Sequence, residues 1–175
     1  MDRIIEFLSS KGLMPETIVA VISMLPVFEL RGGIPVGILA FKMGMLHTAV
    51  YSILGNLIPL PFILEFFKPV SEFFERTNRG NNFIAYLRRR AASRSKIVEK
   101  WGYIGLMLFV AIPLPGSGLW TGSLIAFFLN MSPKKAFVYI VFGVLIAAIA
   151  VLLLTYLIKI GIIQNTGIFV KKVGV

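Results

Sequence analysis

The sequence predicts an all-α integral membrane protein of two similar halves, each a broken helical hairpin followed by a transmembrane helix, joined by a basic amphipathic linker. Three observations carry this prediction. Of 175 residues, 57% are hydrophobic and 15% charged, and the mean hydropathy of +0.86 is far above that of a soluble domain. Two long apolar runs are each interrupted by glycine and proline, at Phe28-Glu29-Leu30-Arg31-Gly32-Gly33-Ile34-Pro35 and at Ile112-Pro113-Leu114-Pro115-Gly116-Ser117-Gly118-Leu119-Trp120. The order of broken run, then plain run, occurs twice.

Residues 13–67 make the first unit. Pro15 suits the first turn of a helix that leads to the break. At the break, glycine and proline remove helical hydrogen bonds, and in hydrocarbon an unpaired amide or carbonyl costs several kcal/mol, so such a site persists only where protein or water satisfies it. It marks a cavity or a pathway. The plain run Leu46 to Phe67 holds roughly 20 residues, enough to cross about 30 Å of hydrocarbon. Pro59 and Pro61 predict a kink in it, and Asn56 predicts a face turned toward protein.

Residues 68–100 make the linker, which carries nine of the 18 lysines and arginines. Basic residues concentrate on the cytoplasmic side of membrane proteins, so this segment is expected in the cytoplasm, beside anionic headgroups. Phe66, Val70, Phe73 and Phe74, then Phe83, Leu87, Ala91, Val98 and Trp101, recur at roughly helical spacing. They predict two short helices on the membrane surface joined near residues 77–81; a solvated basic connector is the alternative. Residues 101–163 make the second unit, with the break at 112–120 and a span from Ala136 to Ile158, and residues 164–175 form a tail.

The halves align. Gly33-Ile34-Pro35-Val36-Gly37 pairs with Gly118-Leu119-Trp120-Thr121-Gly122 at an offset of 85, and Tyr51 to Ile58 pairs with Tyr139 to Ile146 at an offset of 88. The arms flanking each break hold roughly 14 residues, about 21 Å, which is too short to cross, so each broken segment reads as a re-entrant hairpin. With the linker inside, the hairpins enter from opposite faces, both termini lie outside, and the two breaks meet near the midplane as inverted repeats. Four kinked spans with both termini cytoplasmic is the competing arrangement, which charge alone does not separate.

Glu29 and Arg31 are the ionic candidates at membrane depth, where an arginine costs roughly 2.5 to 3.5 kcal/mol and so pairs with an acid, binds a ligand or lines water. The sharper expectation is that Arg31 holds an anionic group while Glu29 exchanges a proton or opposes Arg31 in the empty site. A local ion pair that ties down the hairpin tip is the plainer one. Half-helices beginning after Pro35 and near Leu119 are expected to point free amides at the site, and Gly32, Gly33, Gly116 and Gly118 allow close approach to the backbone. Pro113, Pro115, Ser117 and Trp120 complete the expected substrate-binding set, Trp120 as a cavity wall and Asn56 as a possible path residue. Glu65, Lys68, Trp101 and Tyr103 read as interface anchors, and His47 as a solvated residue at a span boundary.

No metal or cofactor is expected, because cysteine is absent and His47 is the single histidine. Catalysis is not expected either: the chain has one aspartate, Asp2, and the Ser117 surroundings do not reproduce a G-x-S-G motif. The expected partners are membrane lipids, an anionic amphipathic or small-molecule substrate, protons and a second copy of the chain, with no nucleic acid.

Glu29-Leu30-Arg31-Gly32-Gly33-Ile34-Pro35 and the stretch Ile112 to Gly122 resemble the two signatures of the small multidrug export proteins, relatives of the DedA or VTT superfamily. The likeness runs from about Leu25 to Ile158. It implies paired re-entrant hairpins, each followed by a span, and a role in transport or in moving phospholipid-like or polyprenyl-phosphate-like molecules, with possible coupling to protons. It also matches Glu29 and Arg31 to the acidic and basic positions of the first motif. DedA proteins carry arginine around the second break, whereas Pro113 to Gly122 holds no charge here. The expected location is a prokaryotic inner membrane. The runner-up function is a proton-coupled drug exporter, and the alternative of another class is a membrane scaffold that uses the 68–100 segment.

Overall fold

A computed structural model describes residues 6, 8, 10, 12–114 and 116–161. Pro115, the 164–175 tail and the last residues of the second unit lie outside the described residues. All regular structure within them is helical.

The first half opens with α1, Pro15–Met24, with Pro15 at its first turn as expected. Next come a turn at 25–28, α2 over Glu29–Pro35, and a π-helical turn over Val36–Ala40. This corrects the expected break at 28–35. The helix ends because Pro26 disfavours helical backbone at the residue before it, and Leu25 is extended at φ −71°, ψ 137°. Gly32 and Gly33 are helical, and from Pro35 at the end of α2 the helical backbone runs straight on into the π turn, so no free helix N-terminus follows it. The expected free amides there do not exist: Val36 N–H bonds back to Gly32 and Gly33, and Phe41 N–H to Val36 O at 3.0 Å.

Two further helices, α3 (Met45–Leu57) and α4 (Pro59–Glu75), run as one apolar stretch of 31 residues. Pro59 opens α4 and has no N–H to give to the ladder, while Ile58 before it keeps helical angles of φ −52°, ψ −48°. The span does not stop at Phe67, however, so the first expected surface helix is the continuation of α4. After a turn, α5 (Asn78–Ala92) begins with Thr77 as its cap, Oγ1 accepting from Gly80 N–H at 3.2 Å. The second half repeats the element order: α6 (Lys96–Ala111), bent at Gly102 with φ 56°, an irregular stretch at 112–118, then α7 (Leu119–Phe128) and α8 (Pro133–Lys159).

Packing follows the same plan in both halves, α1 against α3 and α6 against α8. The main core joins Leu30, Ile34 and Ile38 to Leu106, Leu119, Ile125, Ile140 and Val144, so α2 is buried against the second half. A smaller cluster holds Ile18, Ile22 and Val36. Leu46, Phe62, Ile149 and Leu153 lie exposed on the two long helices, the pattern of a lipid-facing surface rather than of a soluble core helix.

Close backbone approach explains Gly55. A Cβ there meets the Ala20 backbone, with Ala20 Cα at 2.6 Å, whereas Gly44 has nothing within 4 Å. Gly55→Ala is therefore expected to lower the melting temperature in detergent by about 3 to 10 °C, the effect of an overpacked contact in a chain this size. Gly44→Ala should leave it within about 1 °C on the same reasoning.

Candidate functional site

Among the described residues of the break, the Ile112 and Leu114 carbonyls take only short turn bonds from the main chain, the Gly116 and Ser117 carbonyls have no helical partner, and α7 opens with amides free of helical bonds. Arg31 answers the first need. Its guanidinium donates to the carbonyls of Leu114 and Ser117 and, at 3.1 Å, to that of Ile112. Ser117 Oγ lies 2.8 Å from both the Ile112 and the Leu114 carbonyl and shares its one proton between them, and Arg94 donates to the carbonyl of Gly116, which is left-handed at φ 81°. A planar guanidinium with five donors suits this cluster of acceptors in a way a lysine does not.

Glu29 answers the second need. Its carboxylate accepts from Trp120 N–H at 3.3 Å, so an acid from the first half caps α7. Gly118 makes room for it, because a Cβ at that position meets the carboxylate itself. Glu29 is buried at 6% exposure and held at φ 50°, left-handed for a residue with a side chain, a conformation that costs on the order of 1 to 3 kcal/mol. The reverse link also exists: Trp120 Nε1 donates to Met24 O at 3.1 Å, which satisfies the end of α1.

Two sequence expectations change here. The α7 amides are not open to a ligand, because Glu29 occupies them, and Arg31 is not a free anion receptor, because the second break fills it. Arg31 Nη1 lies 4.0 Å from Glu29 Oε2, so the two form a loose ion pair while each serves the other half. The plainer expectation of a local tie therefore holds only in part. They work together because acceptor and donor are matched to opposite ends of one break.

The remaining expected residues divide. Gly32 and Gly33 are buried in α2 and Pro35 ends it; Pro113, Gly116, Ser117, Gly118 and Trp120 surround the junction, and Pro115 lies outside the described residues. Asn56, 1% exposed, joins Glu29, Arg31, Val110 and Gly118 around a narrow void that does not admit a water-sized sphere. Trp120 packs against the core. His47 sits away from the junction, 3.6 Å from Glu16 and stacked on Tyr51. Tyr103 accepts from Ser132 N–H at 3.0 Å, and Trp101 is exposed beneath Lys100. Arg94 was not singled out from the sequence, since it stands in a basic run; its place between two serines just before an apolar helix is the only sign of a buried task.

Arg31→Leu strips the Ser117 carbonyl of its guanidinium donor and leaves the buried Glu29 carboxylate without its counter-charge, while the Ile112 and Leu114 carbonyls keep bonds from within the break; it should destabilise the folded protein by about 3 to 5 kcal/mol, read by unfolding in mixed detergent. Trp120→Phe removes one bond and should cost about 1 to 2 kcal/mol. Glu29→Gln keeps an acceptor for Trp120 N–H and should cost less than Glu29→Leu in the same assay.

A family profile described as "Putative small multi-drug export protein" matches residues 29–150, more than half of the chain, beginning at Glu29 and ending within α8. No curated protein and no solved structure shows a significant match. The chain belongs to the small multi-drug export protein family.

Proposed function

We propose that this protein is a membrane transporter or translocase for an anionic amphipathic substrate with a phosphate-like head group. The family points to transport, and two helices are long and apolar enough to cross a membrane. The observation that carries the finer reading is the position of Glu29: a carboxylate already occupies a helix N-terminus 4.0 Å from a guanidinium. Glu29 stands where a substrate anion belongs. A phosphate or carboxylate that enters takes the α7 amides and one edge of Arg31, and Glu29, once displaced or protonated, withdraws.

The closed junction leaves no space for such a head group, so transport requires the halves to separate. In this reading the broken segments are re-entrant and the halves inverted, which brings both breaks to the midplane and lets rocking expose them alternately. The arms support it: α1 and α7 each have 10 residues, about 15 Å, half of the hydrocarbon thickness. The basic segment containing α5 then lies at the cytoplasmic surface.

Reconstitution in vesicles tests the substrate class. A fluorescent lipid with a phosphate head group should cross at least tenfold faster than in empty vesicles, and Arg31→Gln should remove most of that gain. Movement of fluorescent cations driven by a pH gradient, without lipid movement, supports the small-molecule exporter instead; loss of neither activity in Arg31→Gln contradicts both readings. Single cysteines at Ser9 and Gln164 report the topology: labelling of both from outside is expected, and labelling of both from the cytoplasm contradicts the inverted arrangement.

A further inference from the structure

Beyond the junction, a line of buried polar side chains runs through the first half. Thr48, Ser52 and Asn56 lie four residues apart on one face of α3, and Ser23 joins them from α1; their exposure is at most 1%. Ser23 Oγ, Thr48 Oγ1, Ser52 Oγ and Asn56 Oδ1 have no hydrogen-bond partner among the described residues. Facing them, α2 and the π turn present glycine. A Cβ at Gly37 meets Thr48, with Oγ1 at 3.0 Å, and one at Gly33 meets Ser23, with Ser52 Oγ and Val19 O each at 3.1 Å. The pairs step in register, 37 with 48 and 33 with 52, and the line ends where Asn56 borders the void beside Glu29.

Close helix packing through small residues explains the glycines but not the oxygens. The second half supplies the comparison. At the offset of 88, Thr48, Ser52 and Asn56 correspond to Ala136, Ile140 and Val144, all buried and all apolar. The same architecture thus packs without polar groups, while the first half carries four unpaired oxygens at a depth where each costs about 1 to 3 kcal/mol. Buried oxygens roughly 6 Å apart along a helix can each be joined to the next by a water molecule.

We propose that this seam is an aqueous access route to Glu29, which hydrates when α1, α2 and α3 loosen and brings water and protons from the start of α3 to the carboxylate. The outer end, Thr48, follows the half-exposed His47 in the first turn of α3. At the inner end, the charged side chain that faces Glu29 among the described residues is Arg31; α3 offers Asn56, α6 Val110, α8 Val144 and Ala147, and α7 its amides. The route itself stands on the seam; its use for protons rests on the reading of Glu29 as the titrating partner.

The chain lacks cysteine, so Ser52→Cys, Ser23→Cys and the comparison Ile140→Cys can be made one at a time in vesicles and treated with a small charged thiosulfonate. Ser52→Cys and Ser23→Cys are expected to react at least tenfold faster than Ile140→Cys; equal rates overturn the route. The carboxyl infrared band of Glu29, identified by its loss in Glu29→Gln, then follows a pH jump. Thr48→Val with Ser52→Ala should slow its protonation at least tenfold without changing the final extent, and an unchanged rate overturns delivery to Glu29. Fast thiol labelling with no titrating band keeps the aqueous route and removes Glu29 as the proton carrier.

Discussion

A buried main chain that leaves its helix must find partners for its carbonyls, and here one guanidinium from the opposite half bonds three of them, including the Ser117 carbonyl, for which no other partner is seen among the described residues. Arg31 ties Ile112, Leu114 and Ser117 to the first half, over the turn bonds that the stretch makes within itself. The other features follow from that requirement. An arginine this deep needs an acid within reach, which places Glu29; a carboxylate needs donors, which the N-terminus of α7 provides; and the acid fits only because residue 118 has no side chain.

The two halves are therefore coupled by exchange rather than by packing alone. The first half gives an acid and a base, and the second returns the Trp120 indole to the end of α1. Each of these bonds crosses the interface between the halves, and under the proposed function that interface opens and a substrate anion or water replaces them. On that proposal the junction has two states, satisfied internally or by ligand, and a modest difference in affinity shifts the balance between them. A strained left-handed backbone falls at Glu29, the residue that makes this contact.

Much of this was legible in residue types. Low charge and long apolar runs gave the helical membrane class, and the second break could be read to within two residues because glycine and proline crowd into 113–118. The first break was misplaced. Gly32, Gly33 and Pro35 resemble a helix stop, yet glycine is tolerated inside a helix that must approach Ser23 and Ser52 closely, and proline is tolerated at its end; the true stop is the less conspicuous Leu25-Pro26. The identity of the ionic residues was visible, but their partners were not, since contacts between residue 31 and residues 112–117 depend on how the halves dock. The four-residue spacing of Thr48, Ser52 and Asn56 was available in the sequence. It gained meaning only when α2 was seen to press glycine against it.

The central claim is that Arg31 satisfies the backbone of the opposite half. Solid-state NMR in bilayers can measure it directly, with 15N in the arginine guanidinium and 13C in the leucine carbonyls. Strong dipolar dephasing of the Leu114 carbonyl by Arg31, lost in Arg31→Lys, is the predicted result. A Leu114 carbonyl that shows no arginine nearby, in protein that is folded and reconstituted, would contradict the account.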